Sequence, residues 1–371
     1  MGTRSLHKPE STVPPPDPSE RLKTPEPQHN VVSLPATKRT QMLNALYLMD
    51  ARHFDHVYGP DERRDLEKLV HFCAPLIDGK NVFANPGALA QAEVILSSWG
   101  MPKMDETFLA AAPKLKAVFY AAVTVKGFVT DASWARGIVV SSGYAGNAVP
   151  VAEFCLGMIL LSLKQVWYNA VAIKQQGAWP ARRSPAGAYG STIGLISLGM
   201  VGRRVGERLR PFDLRVIACD PFVSAADAKA LGVTLVPLDE IFRAADVVSL
   251  HTPSLPETRG MITGAHIASM KPGATFLNTA RGAVVRETEM IEVLQRRPDL
   301  TAILDVTDPE PPLPGSPLYT LPNVVLTPHI AGSQDYECRR MGRYMVEELQ
   351  RYIAGQPLRW QITQEQVAKL A

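Results

Sequence analysis

From Met42 onward, short apolar runs alternate with longer amphipathic segments. The runs Leu43–Leu48, Val94–Ser97, Ala117–Tyr120 and Ile138–Ser141 read as strands, with helical patterns between them around Asp61–His71 and Thr107–Ala112. This alternation predicts an α/β layer built on a parallel sheet. A long helix from about Asn147 to Ala170 leads into a second alternating series. Its predicted strands are Thr192–Ser197, Arg215–Cys219, Val247–Leu250, Ala274–Asn278, Thr301–Leu304 and Val324–Leu326. After Gly332 a last helix, about Asp335–Ile353, has nowhere to pack in the second series and is expected to return to the first. The most apolar stretch, Val149 to Leu163, carries Glu153 and is shorter than the roughly 20 residues of a membrane span. It reads as a buried helix. No internal repeat is visible.

Composition adds limits. At 371 residues the chain has room for two domains, and 46% apolar with 20% charged residues is an ordinary globular balance. A net charge of +3 gives no reason to expect nucleic acid or a membrane surface as a partner. The four cysteines are scattered without a C-x-x-C pair, which predicts a reducing, cytoplasmic setting and no metal site. Residues 1–40 hold eight prolines, mixed with charges and few large apolar side chains. Such a segment cannot offset its ordering entropy, so a disordered tail is expected, with a proline-recognition ligand as the alternative. The N-terminus lacks the apolar core of a secretory signal, and Leu6 stands where a myristoylation motif needs Ser or Thr.

Candidate chemistry begins at Ser197-Leu198-Gly199-Met200-Val201-Gly202, between an apolar strand and a predicted helix at Met200–Leu209. A dinucleotide fingerprint places G-x-G-x-x-G at such a turn, with the pyrophosphate on the helix N-terminus. Gly199 and Gly202 fill the second and third glycine positions. Ser197 replaces the first, at some cost in geometry or affinity. Asp220 ends the next strand, 18 residues after Gly202. A carboxylate there accepts ribose hydroxyls and repels a 2′-phosphate, which favours NAD over NADP. The plainer alternative is that Asp220 only starts the turn before Pro221.

Ligands of open α/β sheets bind beyond the carboxyl ends of the strands. Arg281 follows the strand ending near Asn278, Asp305 and Glu310 follow the strand through Leu304, and His329 follows Val324–Leu326. Singly, each has an ordinary reading as a loop charge or structural histidine. Together they suit hydride transfer to a 2-keto acid. Arginine's rigid fork grips carboxylate and carbonyl while staying charged. Histidine exchanges a proton near working pH, and a carboxylate on its other nitrogen orients it. The expected roles are Arg281 as clamp, His329 as acid in reduction and base in oxidation, and Glu310 as orienter.

These residues lie in stretches that resemble the signatures of D-isomer-specific 2-hydroxyacid dehydrogenases. They are Leu250-His251-Thr252-Pro253, Leu277-Asn278-Thr279-Ala280-Arg281-Gly282, Leu304-Asp305-Val306 through Pro309-Glu310-Pro311, and Leu326-Thr327-Pro328-His329-Ile330-Ala331-Gly332. The resemblance covers about residues 42–367. It implies a Rossmann NAD-binding domain, residues 147–332, inserted in a flavodoxin-like substrate domain built from residues 41–146 and 333–371. It also implies a homodimer through the NAD domain and a hinged cleft. Arg281, Glu310 and His329 match the family's catalytic set, and Asp305 matches an acidic residue near the nicotinamide carboxamide. Thr252, Pro253 and Ala280 match segments lining the cofactor. Ser197, Gly199, Met200, Val201, Gly202, Asp220 and Gly332 complete the expected cofactor site. Formate is disfavoured, because formate dehydrogenases of this superfamily carry Gln where Glu310 stands.

The family's substrate loop usually contains a glycine whose neighbouring N–H groups bind the substrate carboxylate. Here the segment is Tyr120-Ala121-Ala122-Val123-Thr124-Val125-Lys126, and Ala122, Val123 and Thr124 are the expected substrate contacts. Val123 occupies the glycine-like position, where a positive φ would be strongly disfavoured for a β-branched residue. The loop is therefore expected to be reshaped, with Thr124 or Lys126 compensating, or to serve another substrate. Arg286, where the family commonly has Asp, is expected to affect only the start of the next helix. Three functions are compatible with the resemblance: a 2-keto acid reductase, an NAD(H)-responsive corepressor-like binding protein, and a relative with lost activity.

Overall fold

The computed structural model describes residues 42–181 and 187–367. The predicted tail at residues 1–40 lies outside them. The described chain forms two sheets. The first contains β1 (Leu43–Leu48), β2 (Val70–Phe72), β3 (Val94–Ser97), β4 (Ala117–Tyr120) and β5 (Val139–Ser142), and the second contains β6 (Thr192–Ile196), β7 (Arg215–Cys219), β8 (Thr234–Leu235), β9 (Val247–Leu250), β10 (Thr275–Asn278), β11 (Thr301–Leu304) and β12 (Val324–Leu326). A last strand, β13 (Gln361–Ile362), returns to the first sheet.

Side-chain alternation explains why the strands read as continuous apolar runs. Leu46 and Leu48 of β1 point into one core, while Leu43, Ala45 and Tyr47 point into the core on the opposite face. A parallel sheet covered by helices on both faces needs apolar residues at every position. The second sheet is layered the same way, with Ile193 and Leu195 of β6 on one side and Ile196 on the other.

Strand order in the first sheet is β13-β5-β4-β3-β1-β2. Its five parallel strands follow the flavodoxin-like order 2-1-3-4-5. The second sheet runs β12-β11-β10-β9-β6-β7-β8, which is the Rossmann order 3-2-1-4-5-6 with one strand added. Both expected sheet classes are present.

Six helices position or support the site: α1 (Pro60–Glu67), α2 (Tyr144–Leu163), α3 (Val166–Gln176), α4 (Met200–Leu209), α5 (Glu287–Arg296) and α6 (Cys338–Ile353). Helix α2 is long and apolar enough to cross a membrane by length and composition, yet half of its apolar window is buried. Val151, Cys155, Ile159 and Leu163 of this helix join the core under β6. Helix α6 packs on α1, α2 and β4 and so returns to the first sheet, as its position in the chain predicted. Its buried Glu348 accepts hydrogen bonds from Ser141 Oγ at 2.8 Å, Arg359 N at 3.0 Å and Trp360 N at 2.9 Å, which brings β13 beside β5.

Several boundaries differ from the sequence reading. The helix expected over Asp61–His71 ends at Glu67, because Val70–Phe72 joins the sheet edge as β2. The helix expected to run to Ala170 breaks at Gln165, which adopts a left-handed conformation (φ 54°) and donates from Nε2 to Gly273 O at 2.9 Å. Ser197 lies outside β6, also left-handed at φ 73°.

Candidate active site

In the second sheet Ile196, Leu250, Asn278, Leu304 and Leu326 are paired in register across neighbouring strands. The residues one step beyond are Ser197, His251, Thr279, Asp305 and Thr327, so the predicted site segments leave the sheet along one edge.

At the glycine turn, Gly202 has no room for a side chain, since a Cβ there would lie 2.1 Å from Ser197 O. Gly199, the N-cap of α4, has nothing within 4 Å of a Cβ position, so the backbone there is open to a ligand. Met200 and Val201 form the first helical positions. Ser197 takes the positive φ that glycine would adopt without strain, and its Oγ lies 2.8 Å from Thr252 Oγ1. Asp220 Oδ2 accepts from Leu198 N at 2.7 Å and Oδ1 from Phe222 N at 2.8 Å. It therefore holds both the glycine turn and the turn after Pro221, and each oxygen keeps acceptor capacity for a ribose hydroxyl. An open backbone at a helix N-terminus, with a carboxylate at the next strand end, fits a dinucleotide.

Arg281 is brought to its neighbours by Gly282. A Cβ on that glycine would lie 2.0 Å from Thr307 C, so the loop after β10 is pressed against the loop after β11. Arg281 is half-buried, with Nη1 donating to Ala280 O at 2.6 Å. Burial holds the guanidinium below its ordinary pKa, and the Glu310 carboxylate pulls it back up. Ala280 N in turn donates to Asn278 Oδ1 at 3.0 Å. Pro253 O accepts from Thr258 Oγ1 at 2.6 Å, which closes the turn after Thr252.

His329 Nδ1 lies 2.6 Å from Glu310 Oε1, and both side chains are a little under half exposed. No hydrogen bond among the described residues engages Nε2 of His329. Its backbone is left-handed, at φ 54°. The support is Asp305, only 2% exposed: Oδ1 accepts from Thr327 Oγ1 at 2.6 Å and Ile330 N at 2.8 Å, and Oδ2 from Ala331 N at 2.9 Å. Asp305, read from the sequence as a cofactor neighbour, is thus the post on which the histidine loop hangs. The signal was an acidic residue at a strand end, but the return of residues 327–331 to it is long-range and invisible in spacing. Gly332 sits against Asn147 at the start of α2, with a Cβ position 3.1 Å from Asn147 Oδ1, and that oxygen accepts from Ser333 N at 2.8 Å.

His251 lies under the glycine turn, its Cδ2 3.5 Å from the Gly202 Cβ position and its Nε2 3.0 Å from Ser249 Oγ. Burial pushes its pKa down to about 4, and Nδ1 is shielded with no hydrogen-bond partner among the described residues. Such an imidazole is neutral and is no proton donor at neutral pH.

Ala122, Val123 and Thr124 follow β4 on the first sheet, apart from the Arg–Glu–His group of the second. The left-handed conformation considered for Val123 is absent: its φ is negative, so the β-branched side chain carries no backbone strain there. Lys126 and Thr124 are exposed. Arg286 is the residue before α5 and pairs with Glu289 at 3.1 Å, a contact local to that helix start.

The chain spans about half the length of the curated relatives it matches. D-3-phosphoglycerate dehydrogenase of Archaeoglobus fulgidus is 34% identical over 258 residues, which is 69% of this chain and 49% of that protein. Among solved structures, D-lactate dehydrogenase from Aquifex aeolicus, complexed with NAD and lactic acid, is 26% identical with a TM-score of 0.62, covering 84% of this chain and 96% of that one. D-mandelate dehydrogenase of Rhodotorula graminis shares the fold at 23% identity and a TM-score of 0.72, over 87% and 98% of the two chains. Residues 156–331 match the NAD-binding domain of the D-isomer-specific 2-hydroxyacid dehydrogenases. With its glycine turn and the polar residues beyond its strand ends, this stretch is an NAD-binding domain of the D-isomer-specific 2-hydroxyacid dehydrogenase type.

Proposed function

We propose that this protein is an NAD-dependent D-2-hydroxyacid dehydrogenase, acting on a small 2-hydroxy or 2-keto acid. The observation that carries the reading is the 2.6 Å contact between His329 Nδ1 and Glu310 Oε1 beside the half-buried Arg281. NAD, when bound, supplies or accepts the hydride at C2 of the acid. With Nδ1 committed to Glu310, His329 keeps Nε2 for the substrate oxygen; it gives a proton in reduction and takes one in oxidation. Arg281 grips the carboxylate and the carbonyl oxygen, and stabilises the charge that grows there. Backbone N–H groups at Ala122, Val123 and Thr124 hold the carboxylate from the other sheet, while Asp220 receives the ribose. Residues 41–146 with 333–371 act as the substrate domain and 147–332 as the NAD domain.

A homodimer through the NAD domain is part of the same reading. Trp179 and Tyr189, each 89% exposed, offer apolar surface for a second copy. Four free thiols suit a cytoplasmic setting.

The test is NADH oxidation at 340 nm with a panel of 2-keto acids, comparing the full chain with His329→Ala. Loss of the acid–base step should lower kcat on the order of 10²–10⁴-fold. Undiminished turnover in the variant removes His329 from the chemistry.

A further inference from the structure

In the first sheet Leu48, Ser97, Tyr120 and Ser142 are paired in register, so the segments that follow them share one edge. Two hydroxyls reach from that edge into the 121–124 loop. Ser98 Oγ donates to Ala121 O at 2.9 Å. Ser142 Oγ lies 2.9 Å from Ala122 O and 2.8 Å from Val123 O, and its single proton is shared between them. Both serines are fully buried, so three consecutive carbonyls are turned toward the interior.

The peptide bonds here are trans, the cis ones among the described residues being Asp308-Pro309 and Glu310-Pro311. In a trans peptide the C=O and the N–H of the next residue point in opposite directions. Carbonyls 121, 122 and 123 turned inward therefore turn the N–H groups of Ala122, Val123 and Thr124 outward. None of those three N–H groups has a hydrogen bond among the described residues, whereas Ala121 N is engaged with Ser97 O at 2.8 Å. Successive N–H groups facing one way form a concavity suited to an anion.

We propose that Ser98 and Ser142 are positioning residues for the substrate carboxylate: by holding the carbonyls of 121–123 from behind, they aim three N–H groups into the cleft. The inference rests on the 2-keto acid reading and names how this chain builds the carboxylate cradle without a glycine. Val123 needs no unusual φ, because the hydroxyls fix each peptide plane instead.

The experiment uses the full chain, with Ser142→Ala and Ser98→Ala made separately. Oxamate, a small carboxylate probe, is titrated into the NADH-loaded protein by calorimetry, and KM and kcat are measured with the best 2-keto acid. Each variant should weaken oxamate and raise KM about tenfold, with kcat within about threefold and NADH affinity unchanged. Wild-type oxamate affinity in both variants overturns the proposal. So does a parallel loss of NADH and oxamate binding, which marks general damage to the fold. A wild-type protein that binds oxamate in a Ser142-dependent way but turns over no 2-keto acid sinks the dehydrogenase reading and leaves this one standing. A wild-type protein that binds no oxamate sinks this one.

Discussion

Ser197 holds a conformation that costs a non-glycine residue about 1–2 kcal/mol. Its Oγ contact with Thr252 offsets part of that cost and ties the first cofactor turn to the segment after β9. Both Ser197→Gly and Ser197→Ala lose the contact, but only glycine is relaxed at this φ. Urea unfolding should therefore rank the glycine variant about 1 kcal/mol above the alanine variant. An alanine variant as stable as the glycine one would mean that the turn relaxes out of the left-handed region. His251 supplies a second prediction at the same scale. In the unfolded chain it takes a proton near pH 6.5, and in the folded chain only near pH 4, because burial disfavours the charge. Between those values the unfolded state binds more protons, so this residue makes stability rise with pH and fall on acidification. Wild-type protein should lose more stability from pH 7 to pH 5 than His251→Gln does; equal losses would show that His251 accepts its proton in place.

At the scale of elements, the loop from Thr327 to Ala331 depends on one carboxylate. Asp305→Asn keeps size and shape but puts an amide nitrogen where an oxygen now accepts a hydrogen bond. At least one donor then goes unpaired in a buried site, at a cost of about 1–3 kcal/mol. His329 loses its position, so kcat should fall at least tenfold with NADH affinity less affected. Stopped-flow turnover beside a fluorescence titration of NADH separates the two. Ten of the thirteen described strands were legible, because each is a continuous apolar run bounded by turns, whereas β2, read as the end of a helix, and the two-residue β8 were not. Arg281, Glu310 and His329 were picked out because they follow strand ends. The role of Asp305 was not, since its partners lie 22 to 26 residues away. The two buried serines gave no signal either, for an ordinary Ser at a strand end says nothing about which carbonyl it will meet. Strand β13 was illegible for a similar reason: two residues carry no period, and Glu348 rather than local propensity fixes them beside β5.

At the scale of the whole molecule, the chemistry is divided. The Arg–Glu–His group and the glycine turn leave the second sheet, while the 121–124 loop leaves the first. In the proposed reaction the acid is held from both sheets, so its affinity should depend on residues of each. The chain passes between them at Asn147 and again at Gly332–Ser333, and these two passages touch. The ends of the second half thus emerge side by side, much as the ends of a loop do. A gene in which a short glycine bridge replaces residues 148–331 should encode a soluble miniature with the first sheet whole, seen as a cooperative thermal transition; an unstructured product would mean that this half needs its guest in order to fold. By the same adjacency, residues 148–331 should transfer between hosts as a cassette without lengthening either seam.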